Sequence, residues 1–207
     1  MERTNDGHGF GLIELVVAIP LFLTTVAAVA IPNLLQSRLS ANETNAFAAL
    51  KSYATAQAVF MKGGYGIRAA GGGFGKEEIP GLPPPNPGAY DQEIRMYAYP
   101  YPDLYRVSAT AATAAEPVAL ISRPFAEAHR PAGAWHGYWF LSLAMKAPNP
   151  NLFDLCATPA KYGASGRNTC HIDITGAIRQ RDFGATVDAG GLENESPAKA
   201  PDRWIDA

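Results

Sequence analysis

The chain has 207 residues, with 17 basic and 19 acidic side chains and a formal net charge of -2. That length holds one compact domain and little more, and the near-neutral balance removes the electrostatic case for nucleic acid as a main partner. Two cysteines are too few for a disulfide scaffold.

The first nine residues, MERTNDGHG, are polar and not basic, since Arg3 is offset by Glu2 and Asp6. From Phe10 to Leu35 the chain is apolar, with Glu14 as its one ionisable group. A helix needs ~20 such residues to cross a bilayer. A secretory signal peptide accounts for Ala28-Val29-Ala30 as a cleavage pattern, but lacks the basic leader and tolerates Glu14 poorly. A plain anchor leaves Glu14 without a partner, and a carboxylate at membrane depth marks function by default.

Gly9, Phe10, Leu12-Ile13-Glu14-Leu15 and Ala30-Ile31-Pro32-Asn33-Leu34 together resemble the N-terminus of type IV pilins and type II secretion pseudopilins. The resemblance implies cleavage between Gly9 and Phe10 by a prepilin peptidase, and N-methylation of the new Phe10 amine. It also implies that Glu14 pairs with the Phe10 amine of a neighbouring subunit during filament assembly. A lone buried carboxylate is costly and a paired one much less so, which would make Glu14 a docking register. The partners implied are other copies of the chain, the peptidase, an inner-membrane platform with its ATPase, and lipid before assembly. The chain departs from the family in three ways: the leader has no basic excess, Pro32 lies one position late, and Pro20 is an additional proline. Pro20 and Pro32 are both expected to kink the helix. Thr24 and Thr25 are expected, with neighbouring subunits, to satisfy the carbonyl that Pro20 frees.

Residues 36 to 62 continue the helix in amphipathic form. Leu39, Ala46, Phe47, Leu50, Tyr53, Ala54, Phe60 and Met61 recur near helical spacing, while Arg38, Glu43, Lys51 and Gln57 lie mostly off the stripe. Gly63-Gly64 ends the helix. Residues 63 to 90 are rich in Gly and Pro and read as a loop, which in pilins is the variable αβ-loop. Gly71-Gly72-Gly73-Phe74-Gly75 lacks the context of a nucleotide site. Asn42-Glu43-Thr44 matches a glycosylation acceptor by chance only.

Strands are expected over Glu93–Tyr99, Leu104–Ala109, His136–Met145, Leu152–Ala157, Asn168–Ile174 and Ala177–Arg181, with a short helix in residues 111 to 129. Thr175-Gly176 turns between the last two strands. The segment from Gly137-Tyr138 to Asp173-x-x-Gly176-x-Ile178 resembles the sheet region of pilin-like proteins. The fold class is α+β: one long N-terminal helix, its first half membrane-spanning, packed on an antiparallel sheet. The organisation is a leader (1–9), an assembly helix (10–35), its amphipathic continuation (36–62), a loop (63–90), a sheet head (91–184) and an acidic tail (185–207).

Cys156 and Cys170 flank a hairpin and are candidates for a disulfide in an extracytoplasmic head. Cys170 beside His171 makes a poor nucleophilic dyad, because adjacent strand residues face opposite ways. The four histidines share no metal-ligand spacing. Asp182, Asp188, Glu193, Glu195, Asp202 and Asp206 offer oxygen ligands suited to the calcium that some pseudopilins hold. No spaced calcium motif is present, so a solvated tail is expected, with no catalytic residue and no cofactor. The tyrosines 90, 97, 99, 101 and 105 read as sheet and loop packing. The reading is a structural filament subunit with an extracytoplasmic head, and not an enzyme. The alternative is an exported or anchored protein with a binding or enzymatic head.

Overall fold

The computed structural model describes residues 11–63, 65–67, 98, 101–105, 107–109, 119–143, 152–197 and 199–207. Gly9, Phe10, most of the expected strand at 93–99 and nearly all of the 63–90 loop lie outside them. Helix α1 runs over Leu12–Gly63 without interruption at Pro20 or Pro32. Contacts divide the chain into two compact units, one ending at Arg38 and the other beginning at Leu39.

The first unit is the apolar part of α1. Leu12, Ile13, Val16, Val17, Leu21, Phe22, Leu23, Val29 and Ile31 are exposed, and none of the most apolar 18-residue window is buried. By length and composition this segment can cross a membrane. An aqueous helix covered in such side chains would forfeit ~1.5–3 kcal/mol for each large one left wet.

The second unit is built on the rest of α1. Its buried stripe is Ala46, Ala49, Leu50, Tyr53, Ala56, Gln57 and Phe60, at spacings of three and four. Small residues are interspersed with the large Leu50, Tyr53 and Phe60 along this stripe. These join Phe140, Leu155, Ala157, Cys170 and Ile172 in the main core. Gln57 belongs to this stripe, contrary to the sequence reading.

The sheet is antiparallel and sequential: β3 (Tyr138–Leu141), β4 (Asp154–Pro159), β5 (Asn168–Asp173), β6 (Ile178–Asp182) and β7 (Ile205–Asp206). A separate pair joins β1 (Tyr65–Ile67) to β2 (Val107–Ala109). Strand β1 falls in the stretch read as loop. Leu104 and Tyr105, read as strand, lie in a 3-10 turn over Tyr101–Tyr105. The expected short helix is α2 (Arg123–Glu127). Strand β3 starts at Tyr138, not His136. His136 and Gly137 both have positive φ, 49° and 78°, and form the two-residue turn that returns Trp135 to Tyr138.

The acidic tail is not simply solvated. It holds α3 (Ala189–Asn194), a 3-10 turn over Pro201–Arg203 and β7 on the sheet edge. Leu192 and Trp204 are buried, yet neither belongs to the main core. Strand alternation places Trp139, Cys156, Thr158, Thr169 and His171 on the face away from α1, and all five are buried. The Trp204 ring meets His171 and Phe183. The tail therefore forms a second layer, and the sheet is sandwiched.

Candidate functional site

Gly11 precedes the first helical residue and Glu14 is the third. The Glu14 carboxylate accepts the Gly11 backbone N–H at 3.0 Å. This is the reach-back half of a capping box, which satisfies a donor that the helix start leaves orphaned. Glu14 thus has a hydrogen-bond partner in its own chain. The bond is exposed, so the carboxylate can change partners at little cost.

Pro20 and Pro32 lack N–H groups, so the helix pattern leaves the Val16 and Ala28 carbonyls without their usual donors. Thr24 and Thr25 do not repair this. Their hydroxyls donate to Leu21 and Phe22 carbonyls, each at 2.8 Å. Those are the common i to i-3 bonds of helical threonines.

In the second unit, α1 grips the β4–β5 turn. The Asn42 amide donates to the Ser165 carbonyl at 2.8 Å. One Glu43 oxygen accepts backbone N–H groups from Arg167 at 3.0 Å and Asn168 at 3.2 Å. Space here is tight. A side chain at Gly137 would meet Asn42 and Ser165, and one at Gly166 would strike the Tyr138 hydroxyl. That hydroxyl donates to the Asn168 carbonyl. Burial raises its pKa, with Cys170 and Glu43 adding to the effect. Sequence reasoning placed Glu43 off the packing face.

Further along α1, the Gln57 amide nitrogen donates to Ala98 carbonyl at 2.7 Å and to Tyr53 Oη at 2.9 Å. The Gln57 oxygen accepts the Ala98 N–H at 2.8 Å. Tyr53 in turn donates to the Asp154 carbonyl. One buried glutamine thus does for Ala98 what a partner strand would.

Cys156 and Cys170, the candidates for a disulfide, are not joined. The register opposes Cys156 to His171 and Ala157 to Cys170, which puts the two thiols on opposite faces. Both thiols are free and buried. Burial pushes the Cys156 pKa up, with Asp154 and then Cys170 adding to it. Burial and then Glu43 push Cys170 up to about 12. Both are therefore thiols at neutral pH, and thiols are poor nucleophiles. Cys170 faces the core and His171 the other side, as alternation requires. The real cross-strand neighbour of His171 is Cys156. Asp154 lies 3.5 Å from His171 Nε2, while His171 Nδ1 and Trp139 Nε1 have no partner among the described residues.

The carboxylates of the tail serve local structure. Asp188 caps α3 through the Gly191 N–H. Asp182 accepts from Gly184 N–H and from Tyr162. Glu195 joins Arg181 at 2.8 Å and Arg203 at 2.9 Å, and the Trp204 indole donates to its backbone carbonyl. The Arg181 bond is the main reason the Glu195 pKa lies below the ordinary value. Among the described residues no cluster of three or more potential ligands fits a metal ion. A groove of about 650 Å³ runs between α1 and residues 119–136, bordered by Asn45, Ser52, Leu120, Phe125, Trp135 and His136.

No protein-family model matches the chain, and neither a curated protein nor a solved structure matches it.

Proposed function

We propose that the chain is the structural subunit of a type IV pilus-like or type II secretion pseudopilus filament, inserted through α1 with its head outside the cytoplasm. The observation that carries this reading is an apolar helix, unburied in its own chain, that begins just after Gly9-Phe10 and carries Glu14 at its start. Such a surface calls for lipid, and then for other copies of the same helix. The packed head behind it fits an α+β body carried on one long helix. The reading assigns no calcium to the tail, whose carboxylates Asp188 and Glu195 are engaged in a cap and in ion pairs.

In this account Glu14 passes from a local cap to an intermolecular ion pair. While the subunit waits in the membrane, the carboxylate accepts the Gly11 N–H. On docking it exchanges that neutral donor for a charged amine, which adds the attraction of two opposite charges in a medium of low dielectric. Glu14→Ala should leave insertion intact, because the apolar run is unchanged, and reduce filament yield by about tenfold or more, the equivalent of one such bond. Normal filaments from this variant would remove Glu14 from the assembly step.

A further inference from the structure

We propose that the Thr24 hydroxyl of one copy donates to the Ala28 carbonyl of the next, a second contact between the helices that Glu14 is read as docking. The inference rests on that reading. Pro32 lies inside α1 and has no N–H, so the helix pattern leaves the Ala28 carbonyl without its usual donor. Ala28 is exposed on its own chain, and hydrocarbon offers a freed carbonyl nothing. A side chain of a neighbouring helix can serve it. Between Leu12 and Leu35 the side chains able to donate are Thr24, Thr25 and Asn33.

The docking register selects Thr24. Setting the Phe10 amine of one copy against Glu14 of another offsets the two chains by four residues, ~6 Å along a helix. The same offset sets Thr24 of the first copy beside Ala28 of the second. Thr24 follows Phe10 by fourteen residues, and Ala28 follows Glu14 by fourteen. Fourteen residues are two heptads, the repeat at which near-parallel helices meet again, so the face agrees as well as the height. At that offset Thr25 meets Val29, whose carbonyl has the Asn33 N–H in the helix pattern. The Val16 carbonyl, freed by Pro20, lies ~200° round the helix from Glu14 and off this face. The exchange of partners also favours the contact. In its own chain Thr24 donates to the Leu21 carbonyl at 2.8 Å, which the helix pattern already supplies with the Thr25 N–H. Moving the hydroxyl takes a second bond from Leu21 and gives Ala28 the donor that Pro32 lacks.

The test is filament yield from the full chain in its native host. Thr24→Val keeps the shape and removes the donor. It should lower the yield about three- to thirty-fold, the range of one interhelical hydrogen bond in a bilayer. Thr25→Val should leave the yield at the parent level. Pro32→Ala returns an N–H to the Ala28 carbonyl within the chain, so adding Thr24→Val to it should change nothing further. Position is read separately, by oxidising filaments assembled from a mixture of Thr24→Cys and Ala28→Cys chains. A mixed dimer should form there, and far less of one from Thr25→Cys with Ala28→Cys. An equal loss from Thr24→Val with and without Pro32, a matching loss from Thr25→Val, or mixed dimers that do not prefer position 24 would each overturn the proposal. Normal yield from Glu14→Ala would instead sink the docking reading beneath it. If Glu14→Ala is defective and Thr24→Val is normal, that reading stands and this proposal alone falls.

Discussion

Replacing Gln57 with leucine tests the head architecture at its most committed point. Gln57 is fully buried, and its amide satisfies both backbone groups of Ala98, itself buried, and bonds Tyr53 Oη. Leucine fills similar volume and gains apolar transfer energy. It strands the Ala98 N–H and carbonyl, at about 1–3 kcal/mol each. The net cost should be about 2–5 kcal/mol, a large share of a typical domain's stability. The substitution Gln57→Glu makes the sharper contrast. The introduced carboxylate keeps the Ala98 N–H as donor but faces the Ala98 carbonyl with a buried charge, so Gln57→Glu should cost more than Gln57→Leu at pH 7. The pKa of that new carboxyl would be raised on folding, so the deficit should shrink as pH falls and the protonated acid regains a donor. The assay is urea unfolding of the full chain in detergent, followed by tryptophan fluorescence, with an unchanged slope taken as the sign that only stability moved. A Gln57→Leu unfolding free energy within about 0.5 kcal/mol of the parent would refute the network.

Two further outcomes are expected. Under native conditions neither Cys156 nor Cys170 should react with a thiol reagent, while the denatured chain should take up two equivalents without prior reduction, as counted by mass; a mass two hydrogens low would restore the disulfide. Glu195 has its pKa lowered by Arg181 and then Arg203, so its stabilising effect is present above its unfolded pKa and is lost as pH falls through the depressed folded value. Glu195→Gln should therefore melt below the parent at pH 7 and match it in acid, and a difference that grows on acidification would reverse the assignment.

The parts legible in the sequence were those that repeat. The apolar run and the three-and-four spacing of Ala46, Leu50, Tyr53 and Phe60 specify α1 directly. Alternation specifies β5, and the Asp173-Ile174-Thr175-Gly176 turn follows from an Asp173 side chain that accepts from the Thr175 N–H and hydroxyl and from Gly176 at φ 76°. What failed depended on distant partners. Strand β1 is three residues long and pairs with residues some forty positions away, so no local pattern announces it. The thiols were separated by a register of one residue, which the β4–β5 turn sets and composition does not. Gln57 was misplaced because polarity argues for the surface unless its hydrogen-bond partner is known. The tail was misread because its two buried anchors, Leu192 and Trp204, are isolated among acidic, Gly and Pro residues. The roles proposed for Gly9, Phe10 and Glu14 rest on a motif resemblance alone, a signal independent of folding.

The most direct test of the central claim is the intact mass of the protein recovered from its native membrane and surface fractions. The account predicts loss of residues 1 to 9, leaving a chain that starts at Phe10, with its amine methylated. A chain cut after Ala30, or one that keeps residues 1 to 9, would contradict it.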